Sequence, residues 1–263
     1  MTNRITILSY NIWFSDENRT ERTISLIETI KGQNADIICL QEVVKPVFDY
    51  LIKNLTEYPY YYPINYNYIY SCVIFSKYFI TKAKEYEFEN SSMGRKLVVG
   101  LLNLTLQTSD NGSIVVEKFP LLIATSHFES LFKNNNPIKI EQYNKSKEIL
   151  ENLSKTYGPG CSIIFCADTN LLAFEEKLYI TQDTKWKDCW SEYGSKKSNK
   201  YTYDSILNDN LKNRDIGIIR SRIDRIIYKD HNKLKLVNFK MIKGNTNWIE
   251  PSDHYGVLAE FVY

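Results

Sequence analysis

The sequence predicts an α/β sandwich with mixed or antiparallel sheets. Strand-like segments outnumber helical ones. Hairpin-like neighbours alternate with helical crossovers, a mixture that a doubly wound parallel sheet does not show. No internal repeat and no Gly/Ser/Pro linker interrupts the 263 residues, so one domain over 1–263 is expected.

The elements follow in order. Residues 4–10 are rich in Ile and Leu and read as a strand. Residues 20–31 carry Ile24, Ile27 and Ile30 at helical spacing, with Gly32 as the stop. Residues 36–40 form a short buried strand. Pro46 suits the first turn of a helix that places Val47, Tyr50, Leu51 and Leu55 on one face. Residues 71–75, 97–106 and 121–126 are aliphatic or β-branched and read as strands. Asn136-Pro137 looks like a cap and first turn, opening a helix to about Tyr157 with Tyr143, Leu150 and Leu153 inward. Residues 162–167, 222–228, 234–242 and 255–262 complete the strands.

Composition excludes several classes. Hydrophobic residues at 43% and charged residues at 24% describe a globular chain, not a disordered one. The longest apolar runs are about half a dozen residues, whereas a membrane helix needs about 20. The start, Met1-Thr2-Asn3-Arg4, lacks the apolar run of a secretory signal. Five cysteines with no CxxC pair read as reduced, buried thiols, which places the protein inside a cell, in nucleus or cytoplasm. Formal charge is only +2, but residues 196–235 hold eleven basic and five acidic side chains. That excess suits an anionic ligand, or equally a solvated lysine-rich surface.

Polar clusters sit at the ends of the apolar segments: Ser9-Tyr10-Asn11, Gln41-Glu42, residues 126–130, Asp168-Thr169-Asn170 and Ser252-Asp253-His254. Strand ends that present polar side chains to one rim are where sites are built. Singly, an Asn after a strand is a turn residue and an Asp is a helix cap more often than either is functional. Together the clusters supply carboxylates, carboxamides and two of the chain's three histidines, His127 and His254. That kit can hold a cation against developing charge, orient a water and supply hydrogen-bond donors. Glu42 is the best metal ligand. No soft-ligand cluster for zinc is present, and Mg²⁺ takes one or two carboxylates and keeps its waters.

In this order the clusters resemble the endonuclease/exonuclease/phosphatase superfamily of metal-dependent phosphodiesterases. The resemblance spans nearly the whole chain. The stretches His127-Phe128-Glu129-Ser130, Asp168-Thr169-Asn170-Leu171, Tyr201-Thr202-Tyr203-Asp204 and Arg222-Ile223-Asp224-Arg225 point to the group within it that cleaves 5′-phosphotyrosyl DNA ends. The resemblance implies a four-layer α/β sandwich, two central mixed or antiparallel sheets flanked by helices. It implies Mg²⁺, with Mn²⁺ as substitute, on Glu42 and Asp253. Asp168 would polarise the attacking water and Asn170 fix it. Asn11 and His254 would bond the phosphate, with Asp224 orienting His254, and His127 would donate from the other side with Ser130 beside it. Tyr203 would pack on nucleic acid, and Arg95 and Arg222 would contact substrate. For Arg95 a plain surface charge fits as well. The seven tyrosines from Tyr58 to Tyr70 fit a stacking platform, or equally an edge strand or packed loop.

The substrate so implied is DNA with a 5′-linked tyrosine or peptide at a single-stranded end, or RNA so linked, acted on by a monomer with no membrane. Alternatives are another phosphodiesterase of the superfamily (abasic endonuclease, exonuclease, inositol or lipid phosphatase) or a non-catalytic nucleic-acid-binding module. Two departures bear on substrate: Leu131-Phe132 and Leu172-Ala173 stand where the group has basic contacts. The group's ubiquitin-binding N-terminal domain is not expected here.

Overall fold

The computed structural model describes residues 3–110, 113–130, 137–180, 183–212, 214–231, 233–244 and 249–263, with side chains at 106–115 left aside. In chain order the elements are β1 (Arg4–Asn11), α1 (Arg19–Gln33), β2 (Ile37–Val43), α2 (Lys45–Asn54), β3 (Tyr60–Tyr62), β4 (Ser71–Ser76) and β5 (Lys82–Glu87). Next come β6 (Lys96–Asp110), β7 (Ser113–His127), α3 (Pro137–Tyr157), β8 (Ser162–Asp168), α4 (Ala173–Tyr179), β9 (Lys187–Asp188) and α5 (Cys189–Glu192). The last are β10 (Tyr203–Asp204), β11 (Arg220–Ser221), β12 (Asp224–Lys229), β13 (Lys235–Ile242) and β14 (Gly256–Val262).

Two six-stranded sheets result, in the orders β13-β14-β1-β2-β4-β3 and β5-β6-β7-β8-β12-β9, with a small β10–β11 ribbon beside them. Each large sheet holds one parallel pair, β1∥β2 and β7∥β8, joined through α1 and α3 respectively. The other pairings are antiparallel, so the sheets are mixed, as expected. One apolar cluster lies between the sheets: Ile5, Ile7 and Ile37 of one face Val98, Ile123 and Ile164 of the other. A second packs α1 and α2 on the outer side of the first sheet, and a third packs α3 on the outer side of the second. The result is four layers. All five cysteines are free and buried. Among the described residues no helix is long and apolar enough to cross a membrane.

Several boundaries differ from expectation for local reasons. Helix α1 runs through Gly32 and stops where Asn34 takes a left-handed conformation (φ 51°, ψ 34°) and donates its N–H to Ile30 O. Tyr50 is 41% exposed, and Phe48 takes its place inward, stacked 4.7 Å from Tyr66. The tyrosine run resolves into edge strand β3 and packed loop, with Tyr58 and Tyr66 buried. Asn136, the expected cap, lies outside the described residues, as do Leu131 and Phe132; Pro137 does open α3.

Candidate active site

Topology gathers the clusters at one rim. In parallel pairs the C-terminal ends coincide, so Asn11 pairs with Gln41 beside Glu42, and His127 pairs with Asp168. Strand β12 runs antiparallel to β8, which sets its first residue, Asp224, opposite Asp168. Strand β14 runs antiparallel to β1 with Val257 opposite Ser9, so Asp253 and His254 reach the same edge. Gln41 ties the sheets together beneath: its Nε2 donates to Ser9 Oγ (3.2 Å) and across to Thr125 Oγ1 (2.9 Å).

Glu42 reaches the rim through a backbone irregularity. The β2–β4 register shifts between Leu40 and Val43, and Glu42 has φ 58°. A bulge re-aims one side chain without moving the strand. Its Oε2 accepts the Phe14 N–H at 2.9 Å. Burial first, and then the neighbouring Asp253 carboxylate, push its pKa up to about 7. Burial raises Asp253 as well.

A cavity of about 280 Å³ lies over these strand ends. Of the predicted residues it is lined by Glu42, His127, Ser130, Asp168, Asn170, Tyr203, Asp253 and His254. Two more stand directly behind. Asn11 donates Nδ2 to Asp168 Oδ2 (2.8 Å) and accepts the Trp13 N–H (3.0 Å). Asp224 Oδ2 meets His254 Nδ1 at 2.9 Å. Asp168 Oδ1 accepts the Asn170 N–H (3.1 Å), while Asn170 Nδ2 donates to Phe128 O (3.0 Å). The Tyr203 ring meets the His254 ring edge-on at 5.0 Å.

The two histidines are driven apart electrostatically. Burial, with Arg95 and His254 adding to it, takes His127 down to about 3 against the pull of Asp168. Burial would also lower His254, but the Asp224 carboxylate at Nδ1, with Asp253 and Asp168, holds it well above the usual histidine value. One neutral and one charged imidazole at a single site make two different donors.

Two predicted substrate contacts fare differently. Arg95 is buried behind His127, its Nη1 2.7 Å from His127 Nδ1 and its guanidinium 5.2 Å over the Tyr70 ring, so a free surface charge is ruled out. Arg222 does not line the cavity: it is buried in ion pairs with Asp188 (2.9 Å) and Glu176, which Arg225 shares. Its expected substrate contact is therefore corrected. A guanidinium held by two carboxylates in the interior has no donor fork left for a phosphate.

Sequence reasoning named Leu172 as a departure but passed over the rest of the apolar and charged lining. Trp13, Phe14, Phe174 and Ile219 line the cavity, as does the buried Lys139–Glu175 pair at 2.8 Å. The signal for the first three was their position: each lies within three residues of Asn11 or within four of Asn170. Lys139 carries no such signal inside its helix.

The donor set fits a hard divalent cation. Asp168, Asp224 and His254 each offer one atom within 4.8 Å of the others. Glu42 and Asp253 add two more, half-buried carboxylates at the same cavity. Among the described residues the one lysine or arginine lining it is Lys139, already paired. Carboxylates crowded so, with the His254 imidazolium among them and the lining lysine already paired, are suited to binding a divalent cation. Among the described residues the buried Asp224 Oδ1 has no hydrogen-bond partner.

Residues 8–254 match the model of the Endonuclease/Exonuclease/phosphatase family. The chain belongs to that family. The 5′-tyrosyl-DNA phosphodiesterase of Caenorhabditis elegans is 27% identical over 266 residues, covering 98% of this chain and 67% of that protein. Tyrosyl-DNA phosphodiesterase 2 of Xenopus laevis is 27% identical over 272 residues, covering 97% of this chain and 66% of that protein. The chain thus spans about two thirds of the length of these curated relatives. The crystal structure of D. rerio TDP2 complexed with single-strand DNA product has a TM-score of 0.81 at 21% identity, covering 98% of this chain and 99% of that one, a likeness of fold. Membership makes this chain a hydrolase of the phosphodiesterase type and accounts for the α/β sandwich.

Proposed function

We propose that the protein hydrolyses the 5′-phosphotyrosyl bond between a protein adduct and DNA, in a Mg²⁺-dependent reaction that leaves a 5′-phosphate. RNA with the same linkage would serve the same site. The biological role is repair of topoisomerase-type adducts by an intracellular monomer. The observation that carries the reading is the convergence of Glu42, Asp168, Asp253 and His254 on one cavity, with Asn11 and Asp224 bonded behind them. The names of the curated relatives support the substrate.

Glu42 and Asp253 would hold the cation, which when bound neutralises charge developing on the phosphoryl oxygens. Asp168, aimed by Asn11 and by the Asn170 N–H, takes the proton of the attacking water. The second N–H of the Asn11 amide remains available to a phosphoryl oxygen. His254 keeps Nδ1 on Asp224, so Nε2–H is the donor it offers to the phosphate. His127 Nε2 lies 3.4 Å from Asp168 Oδ2, which brings a second imidazole to the same position. As water adds to phosphorus, the bond to the tyrosine oxygen breaks. A phenol with pKa about 10 leaves with less help from an acid than an alkoxide requires.

The test compares 5′-tyrosyl, 3′-tyrosyl and abasic oligonucleotides with and without EDTA. Cleavage of the 5′-tyrosyl substrate alone, abolished by EDTA and restored by Mg²⁺, is expected. Preference for the abasic duplex would transfer the protein to a different activity of its family.

A further inference from the structure

We propose that Glu129 is a positioning residue that fixes the tautomer of His127 through the loop at residues 90–95 and the Arg95 side chain. Glu129 follows His127 by two residues, is fully buried and lines the same cavity, yet its carboxylate oxygens are bonded to Ser91, Ser92 and Gln142. Its Oε1 accepts from Ser92 N (3.0 Å) and Ser92 Oγ (2.6 Å), and its Oε2 accepts from Ser91 Oγ (2.8 Å) and Gln142 Nε2 (3.2 Å). Four donors on one buried carboxylate make a rigid anchor.

What it anchors is the approach of Arg95. Ser91 Oγ, held by Glu129, in turn accepts the N–H groups of Met93 (3.3 Å) and Arg95 (2.8 Å). The loop so tied sends the Arg95 guanidinium to His127 Nδ1 at 2.7 Å. A guanidinium has donors only. Glu42 Oε1, the carboxylate facing the same Nδ1, is beyond bonding distance at 3.6 Å, so Nδ1 is the acceptor for Arg95 and the ring proton sits on Nε2, the nitrogen directed at Asp168 and the cavity. Arg95 forms no ion pair among the described residues, so its partner is the imidazole and not a carboxylate. The chain Glu129–Ser91–Arg95–His127 thus makes His127 a neutral Nε2–H donor before any substrate arrives. Outer partners that orient metal-ligating histidines are worth roughly 10- to 100-fold in affinity or activity, and a loss of the same order is expected for this imidazole. The inference rests on the reading that His127 faces the phosphate.

The chain has only three histidines, so ¹⁵N-histidine labelling gives a spectrum that single His→Gln variants assign completely. Wild-type His127 should show a pyridine-type Nδ1 and a pyrrole-type Nε2. Glu129→Gln, and the milder Ser92→Ala in case the first does not fold, should shift both nitrogens toward the averaged values of mixed tautomers. Turnover of thymidine 5′-(p-nitrophenyl phosphate) should fall about 10-fold or more in kcat, with KM within about twofold. Arg95→Lys, which keeps a donor, should recover more of the wild-type spectrum than Arg95→Met. A wild-type Nδ1–H tautomer, or unchanged His127 shifts in the folded Glu129 and Ser92 variants, overturns the proposal. If wild type turns over no phosphodiester, the functional reading fails, and the spectra still decide this one.

Discussion

Glu42 sits where burial and a second carboxylate both oppose its ionisation, and its pKa of about 7 expresses that cost. Glu42→Gln keeps the shape and the acceptor for the Phe14 N–H while removing the charge. In EDTA the variant should melt above wild type, because a destabilising carboxylate is gone. Saturating Mg²⁺ should raise the wild-type melting temperature and leave the variant unmoved, since ligand at about 100 times Kd stabilises by about 2.7 kcal/mol. Differential scanning calorimetry checks both, and an equal Mg²⁺ shift in the two proteins would remove Glu42 from the metal site. At this scale the sequence was most legible where chemistry is confined to strand ends: Asp168 and His254 fall where their motifs predict. Arg222 was not legible, because its direction is set by Asp188 and Glu176, which lie 34 and 46 residues before it.

Those four charged residues are the joint between elements. Arg222, at the approach to β12, and Arg225, within it, grip Glu176 of α4 and Asp188 of β9, next to the strand that carries Asp224. Burial alone would raise both carboxylates, but Arg222 and Arg225 outweigh it and hold both below their ordinary values. Depressed folded pKa values mean that the carboxylates' contribution is present above the unfolded values and is lost as pH falls through the folded ones. Stability should therefore drop on acidification below about pH 4. Asp188→Asn strands two buried guanidinium groups on one carboxylate and should cost about 3–5 kcal/mol at neutral pH, with a flatter acid limb. Urea unfolding from pH 7 to pH 2.5 reads both, and a wild-type acid limb in the variant would refute the assignment. Element boundaries were legible where aliphatic runs end. They were not legible where pairing extends a strand through polar sequence, as in β6 and β7, whose ladder continues to Asp110 opposite Ser113. Strand β5, Lys-Ala-Lys-Glu-Tyr-Glu, carries the charge expected of a sheet edge and not the apolar signal of a core strand.

Across the whole molecule, four layers followed from two helical crossovers, but the fate of the basic C-terminal third did not follow from its composition. Of the eleven cations in residues 196–235, seven are ion-paired among the described residues: Lys212, Arg214, Arg220, Arg222, Arg225, Lys229 and Lys233. Glu17, Glu117 and Glu151 come from elsewhere in the chain, so the local excess is largely cancelled by folding. The cavity itself presents carboxylates, histidines and an apolar rim in which Phe14 is 48% and Phe174 50% exposed. Leu172 stands on that rim too, at one of the two expected basic positions. Binding of a single strand should therefore draw on stacking, worth about 1–3 kcal/mol per base, more than on phosphate neutralisation. Each neutralised phosphate contributes about −0.7 to the slope of log K against log salt for a single strand. With the one lining lysine already paired, a site that neutralises at most two phosphates gives a slope no steeper than about −1.4, whereas a cationic groove with six contacts would give about −4. Fluorescence anisotropy of a labelled 5′-phosphorylated oligonucleotide on the Asp168→Asn variant, from low to high KCl, measures the slope directly. The same titration with Phe174→Ala added should show weaker binding at every salt concentration without changing the slope, because a lost stacking surface releases no counterions; a steep slope for Asp168→Asn alone would return the affinity to the basic third.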